Sequence, residues 1–232
     1  MLDPSQIRAI SLDLDDTLWP IWPTIDRAEA ALLLWLKEHA AKTALLFTTP
    51  EALRAIRQQV QLDRPDLHHD LSAMRLESIR RALRQAGDDE NLAMAAFEIF
   101  FAERQRVQFF EDALPALAFL AARWPVVAIT NGNADVHRVG IGGFFKASFN
   151  VSATGFAKPD VRIFHAAAQA LELPPSAILH VGDDAKLDAE AACNAGMHAV
   201  WLNRSGIDWP IKQMPPPLTV ANLSQLTALL AS

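Results

Sequence analysis

An apolar run at Ile7, Ala9, Ile10 and Leu12 opens the chain and stops at two carboxylates, Asp13 and Asp15. A run of this length, bounded by polar residues, predicts a buried strand. An irregular aromatic turn follows at 18–23. Thr24 then reads as the N-cap of a helix over 25–39, with Ala28, Ala31, Leu32, Trp35 and Leu36 on one face. Helical periodicity continues over 50–62, 71–85 and 92–109, and no strand pattern interrupts this block. From Asp112 the pattern changes. A helix over 113–123 leads to a strand over 126–130, then a short strand at 147–151 and a helix over 161–171. A strand over 177–181, a helix over 187–195 and a strand over 198–202 come next. A late strand near 218–220 and a helix over 224–230 complete the pattern. Strands that alternate with helices in this way predict an α/β protein whose parallel strands are joined by crossover helices. The helical block falls between the first and second strands. It therefore predicts a core formed by 1–19 and 112–232 and an inserted helical domain over 20–111.

Polar chemistry collects where the strands end, which is where ligands bind in open α/β sheets. Asp13 and Asp15 are two apart and share a face of an extended chain, while Leu14 points away. Thr130-Asn131-Gly132 follows the second strand. Gly182-Asp183-Asp184, with Asp188 downstream, follows a later one, and Lys158-Pro159 precedes a helix. Paired carboxylates at a strand end suit metal-assisted or nucleophilic chemistry. Taken singly, each has a plainer reading. Asp16 or Thr17 can cap a turn, Lys158 can be a solvated lysine before a proline, and Asp188 can be an acidic first-turn residue of a helix.

Composition narrows the range of functions. The 232 residues carry a net charge of −6 at pH 7, with 51% apolar and 21% charged residues. These values suit a soluble globular chain and argue against a general nucleic-acid or anionic-membrane binder. The single cysteine, Cys193, excludes an intramolecular disulfide and reads as a small buried thiol near a helix end. No apolar stretch reaches membrane-spanning length and no signal-peptide pattern opens the chain, so the expected compartment is the cytoplasm. No obligate protein partner is evident.

The strings Asp13-x-Asp15-x-Thr17, Thr130-Asn131, Lys158-Pro159 and Gly182-Asp183-Asp184-x-x-x-Asp188 resemble the four motifs of the haloacid dehalogenase superfamily of phosphohydrolases. The likeness spans almost the whole chain, and the helical insertion resembles that superfamily's C1-type cap on a Rossmann-like parallel-sheet core. More narrowly, residues 12–18, 124–133 and 178–184 are similar to phosphatases of flavin mononucleotide and of the phosphorylated ribitylaminouracil intermediate of riboflavin biosynthesis. The resemblance implies Asp13 as nucleophile, Asp15 as general acid and base, and Thr130 and Lys158 as catalytic partners. Thr17 and Asn131 are implied on the substrate side. A Mg²⁺ ion would be held by Asp13, the Asp15 backbone carbonyl and Asp183, with Asp184 or Asp188 in support. The substrate is expected to be a small phosphorylated metabolite. The residue types suit that reaction, because a carboxylate approaching a phosphate dianion meets about 4 kcal/mol of repulsion per unit-charge pair at ~4 Å and an effective dielectric near 20. A divalent cation and a lysine offset it. A phosphomutase, a phosphatase of another sugar phosphate or nucleotide, and a non-catalytic phosphate-binding module are the rival readings. A dehalogenase is disfavoured because Asp15 is present.

The inserted block offers candidate substrate selectors. His69, Asp70 and Arg75 either lie over the reacting centre or form an ordinary helix entrance with a capping Asp70 and a solvated Arg75. Trp19 directly follows the catalytic loop and either stacks on a substrate ring or packs internally, as do Trp22 and Trp35. His137 and His180 read as loop and sheet residues.

Overall fold

Six strands form one parallel sheet among the described residues, which in this computed structural model are 3–67 and 70–231. They are β1 (Ala9–Leu12), β2 (Val126–Ile129), β3 (Ala147–Phe149), β4 (Ile178–Gly182), β5 (His198–Leu202) and β6 (Leu218–Val220), in spatial order β3-β2-β1-β4-β5-β6. β1 is central, with Ile10 opposite Val126 on one side and Leu179 on the other. β1, β2 and β4 are buried at every position, as expected of strands covered on both faces. The Rossmann-like α/β class read from the sequence is the class observed.

The chain divides into two compact units, one of residues 1–20 and 108–232 and one of residues 21–107. The second unit is helical: α1 (Ile21–His39), α2 (Ala41–Leu46), α3 (Pro50–Asp63), α4 (Leu71–Ala86) and α5 (Ala93–Arg104). Leu32, Leu36, Ile79, Leu83, Phe97 and Phe100 form its core, a cluster separate from that of the sheet. Several boundaries differ from the periodicity reading. α1 begins four residues earlier than expected, because Pro23 sits in its first turn, where a missing N–H costs nothing. Thr24 is therefore a buried helical residue and not a cap. α5 stops at Arg104, short of the predicted 109, and the six-residue α2 gave no periodic signal.

Two candidate selectors in this unit have structural partners. The Asp70 carboxylate caps α4 by accepting from the Ala73 N–H at 2.9 Å. At the other end Gly87, at φ 76°, donates its N–H to the Arg84 and Leu83 carbonyls, a left-handed cap that glycine adopts without strain. Arg75 is neither solvated nor available to a ligand. It is 5% exposed, donates to the fully buried Glu29 at 3.0 Å and lies over the Phe100 ring at 4.1 Å. Burial, then the nearby Arg57, lower its pKa to about 10, with Glu29 opposing them. His69 lies outside the described residues.

The energetics give a first prediction. Glu29 also binds Arg54 at 2.7 Å, so Arg75→Met removes one of two cations from a buried carboxylate. The expected cost is about 2–4 kcal/mol, equivalent to a Tm roughly 5–10 °C lower in a chain of this size. Calorimetry against steady-state kinetics checks it: kcat/KM per folded molecule should stay within about threefold. A large kinetic loss at unchanged Tm would return Arg75 to the substrate.

In the first unit, α6 (Ala113–Ala121) precedes β2, and two short helices, α7 (Val136–Val139) and α8 (Val151–Thr154), follow the β2 and β3 ends. α9 (Val161–Ala170) packs Ile163, Phe164 and Ala167 against the sheet. A π-helical turn, Ala185–Glu190, runs into α10 (Ala191–Asn194), and α11 (Leu223–Ala231) is last. Cys193 is half-buried against this core, and burial pushes its thiol pKa up, as expected of an unreactive thiol. No described helix is long and apolar enough to cross a membrane.

Candidate active site

Pairing of β1 with β4 puts their carboxyl ends side by side, and the Asp13 N–H continues the ladder onto the Val181 carbonyl at 2.9 Å. Asp13 therefore leaves the sheet beside Gly182 and Asp183. Carboxylate oxygens of Asp13, Asp183 and Asp188 lie within 4.8 Å of one another. Lys158 Nζ joins the group, 2.6 Å from Asp13 Oδ1 and 2.5 Å from Asp188 Oδ1, and is 4% exposed.

Lys158 reaches this position because Asn131 clamps its backbone. Asn131 Oδ1 accepts from the Lys158 N–H at 2.7 Å, and its Nδ2 donates to the Lys158 carbonyl at 2.8 Å. The resemblance implied Asn131 on the substrate side; its side chain has the further role of holding the Lys158 backbone. The Thr130 hydroxyl accepts from the Gly132 N–H at 2.9 Å, which orients its own proton away from that bond. Thr17, expected on the substrate, is fully buried and donates to Asp183 Oδ1 at 3.2 Å, so it orients a carboxylate instead. The Asp183 backbone is fixed by Trp201, whose indole N–H donates to the Asp183 carbonyl at 2.7 Å.

Asp184 and Asp188 separate clearly. Asp184 is exposed and caps the π-helical turn, accepting from the Lys186 and Leu187 N–H groups at 2.8 Å each. Asp188 is 1% exposed and points back into the cluster, also accepting from the Asp184 N–H at 3.0 Å. Its carboxyl occupies the space that a Cβ at position 182 would fill, so only glycine fits there. Behind Asp188 stands His180, fully buried on β4. Its Nε2 is 3.2 Å from Asp188 Oδ1, and its Nδ1 is 2.9 Å from the buried Ser11 hydroxyl. His180 is a sheet residue as the sequence suggested, but its support of Asp188 was missed. The eight-residue separation and the Ser11 partner carry no sequence signal.

The charges are unbalanced. Three carboxylates against one ammonium leave two negative charges in excess when all are ionised. Burial, reinforced by Asp188 and Asp183 against the opposing Lys158, raises Asp13 well above its ordinary pKa. Burial, then Asp188 and Asp16, push Asp183 up to about 7. Burial alone would raise Asp188, but Lys158 and His180 outweigh it and hold it well below the usual range. Burial would also lower Lys158, yet Asp13 and Asp188 keep it firmly protonated. Burial lowers His180, which stays neutral. An all-oxygen donor set with excess negative charge fits a hard divalent cation.

Asp15 lies beyond Asp13 and accepts from the Trp19 indole N–H at 2.8 Å. Trp19 is fully buried, with its ring edge-on to Phe109 at 5.6 Å, so it cannot stack on a substrate. Trp22 is 58% exposed beneath the Arg54 guanidinium, and Trp35 stacks on His39 at 4.3 Å. His137 lies in α7, away from these carboxylates in its contacts, with its ring against Gly142.

A family model for haloacid dehalogenase-like hydrolases matches residues 7–196. The chain belongs to that family and is an enzyme of the hydrolase class. Among curated relatives, the 5-amino-6-(5-phospho-D-ribitylamino)uracil phosphatase YigB of Escherichia coli K12 is 34% identical over 97% of both chains. A phosphoserine phosphatase of Thermus thermophilus is 32% identical over 63% of this chain and 61% of its own. A solved structure described as 2-haloacid dehalogenase from Pseudomonas syringae pv. Tomato DC3000 matches with a TM-score of 0.88 and 38% identity, covering 97% of this chain and 98% of that one.

Proposed function

We propose that the chain is a Mg²⁺-dependent phosphatase that hydrolyses a small phosphorylated metabolite through an aspartyl-phosphate on Asp13. The observation that carries this reading is the buried Asp13 carboxylate held by Lys158 beside Asp183, with Asp15 two residues further on. The Asp13 oxygen attacks phosphorus as the ester bond breaks, and Asp15 gives its proton to the departing alcohol. Asp15 then takes a proton from water, whose oxygen bonds to phosphorus as the bond to Asp13 breaks. Lys158 and the Thr130 hydroxyl with the Asn131 N–H stabilise the transferring oxygens. Asp13, Asp183 and the Asp15 carbonyl would hold the cation, with Asp188 fixing Lys158. When bound, the cation supplies positive charge against the repulsion between carboxylate and phosphate.

The substrate proposed is a riboflavin-pathway phosphate or flavin mononucleotide, supported by full-length similarity to the Escherichia coli phosphatase. The helical unit is assigned substrate selection. A second reading follows from similarity to the Pseudomonas syringae structure described as a 2-haloacid dehalogenase. Halide is a stable anion that needs no proton to depart, so a dehalogenase gains nothing from an acid at Asp15. Incubation with a panel of phosphorylated metabolites and with 2-haloacids separates the two. Phosphate release from the panel supports the phosphatase, and halide release without phosphate release overturns it.

Cation binding also predicts a pH signature. Asp183, at about 7 when folded, has an ordinary carboxylate pKa near 3.9 when unfolded. Between these values the folded state holds a proton that the unfolded chain has lost, so stability falls as pH rises. Asp183 by itself should contribute a loss of about 2–4 kcal/mol from pH 4 to pH 8 in chelator, at ~1.4 kcal/mol per pKa unit; Asp13, also raised, acts in the same direction, and His180, lowered by burial, acts against both. Asp188, held low, contributes stability that is constant over that window. Mg²⁺ should raise Tm more at pH 8 than at pH 5. An equal Mg²⁺ effect at both would count against the site.

A further inference from the structure

The loop after β4 carries two of the clustered carboxylates, Asp183 and Asp188, and one side chain from the neighbouring strand supports it. Trp201 on β5 lies in register with Gly182 on β4. Its indole N–H donates to the Asp183 carbonyl at 2.7 Å. Its ring packs with Ala185 and Ala189, on either side of Asp188 in the chain. Packing also fixes the indole. Trp201 is 3% exposed and meets Trp209 edge-on at 5.0 Å, and the Trp209 N–H is itself held by the Met214 carbonyl at 2.8 Å.

The side chain of Asp183 is held separately. Its Oδ1 accepts from the Thr17 hydroxyl, and the Thr17 carbonyl accepts from Arg204 at 2.9 Å. Arg204 follows the end of β5 and is anchored by the Asp112 carboxylate at 3.0 and 3.2 Å. The carboxyl end of β5 thus reaches Asp183 from two sides, through its backbone and through Thr17. Such support matters because Asp13, Asp183 and Asp188 crowd their carboxylates within 4.8 Å. Like charges at that distance repel, which favours turning Asp183 out towards solvent when no cation is bound. A ligand already held in place binds a cation without that rearrangement.

Resting on the Mg²⁺-dependent reading, we infer that Trp201 is a positioning residue of the cation site: its indole N–H holds the Asp183 backbone so that the carboxylate stays beside Asp13 against their mutual repulsion. An indole N–H donates and cannot accept or ligate a cation, so Trp201 acts only through Asp183.

Calorimetric titration of the full chain with Mg²⁺ tests this without any turnover. Trp201→Phe keeps an aromatic ring in the cluster and removes the N–H. The Mg²⁺ Kd should rise about 10-fold, the lower end of what losing an outer-shell partner costs a metal site, because Thr17 still holds the carboxylate. A benzothiophene side chain at position 201 keeps the bicyclic shape without the N–H. It should give the same shift, and it replaces the phenylalanine variant if that chain does not fold. Leu226→Ala, at a buried position of α11 outside this cluster, should lower Tm and leave the Kd within about twofold. At limiting Mg²⁺ the kcat/KM of Trp201→Phe should fall by the same factor as the affinity, and saturating Mg²⁺ should restore it to within about threefold of wild type. An unchanged Kd on removal of the N–H, or an equal rise in Leu226→Ala, would overturn the assignment. If the wild-type chain binds Mg²⁺ but releases no phosphate from any ester, the phosphatase reading falls and the role of Trp201 stands. If it binds no Mg²⁺, both fall.

Discussion

Asp13→Asn should lower turnover by at least about 10⁴-fold while leaving the fold and Tm close to wild type. The amide keeps the shape of the carboxyl group but cannot attack phosphorus, and removal of a nucleophile costs more than loss of any supporting group. Asp13 is one of three clustered carboxylates, so its neutralisation also relieves repulsion with Asp183 and Asp188. Stability in chelator should therefore rise slightly as activity disappears. Acid-quenched reactions with labelled substrate supply the direct measurement. Wild type should retain an acid-stable, base-labile phosphoryl group on the protein, and the variant none. Substantial turnover by the variant would sink the covalent mechanism.

Lys158→Met is expected to lower kcat by about 10³-fold, the scale of a lost preorganised charge at a transferring group. The methionine retains much of the buried stem, so packing should survive. Lys158 is the ammonium that binds both Asp13 and Asp188, and its removal leaves the carboxylates with no protein cation between them. Cation binding should consequently be undiminished or tighter in the variant, as read by calorimetric titration with Mg²⁺. The combination of lost turnover with retained metal binding distinguishes a catalytic lysine from a structural one. Parallel loss of both would show that Lys158 merely holds the site together.

Much of the core architecture was legible because its signals are local. Short apolar runs ending in Asp13, Thr130 and Gly182 identify strands and place their polar ends within a few residues. The misreadings of Arg75, Trp19 and Thr17 each involve a partner distant in sequence. Arg75 looks solvated beside its own neighbours, and nothing around it announces Glu29, 46 residues earlier in a different helix. Trp19 follows the catalytic loop and so suggested a stacking platform. Its burial depends on Phe109, at the far side of the insertion. Thr17 reads as a substrate ligand until β4 delivers Asp183 to its hydroxyl. Asp184 and Asp188 were inseparable in the string because both follow one glycine. Only the π-helical turn shows which carboxylate folds back into the cluster.

The staple between the ends of the helical unit bears on the order in which the chain folds. Arg27, near the start of α1, lies 3.4 Å from Glu103 near the end of α5 and also donates to the Arg106 carbonyl. β1 and β2 are neighbours in the sheet, yet the whole unit separates them along the chain. As flexible coil, that segment would make their pairing a distant encounter whose entropic cost rises with the logarithm of loop length. A helical unit that has already joined its own first and last turns replaces the long loop with a short effective tether. The local contacts of the helices form quickly, while parallel pairing of distant strands is slow. The insertion is therefore expected to fold early and to shorten the effective tether between β1 and β2, so stopped-flow refolding of Arg27→Ala should slow by more than its equilibrium stability falls.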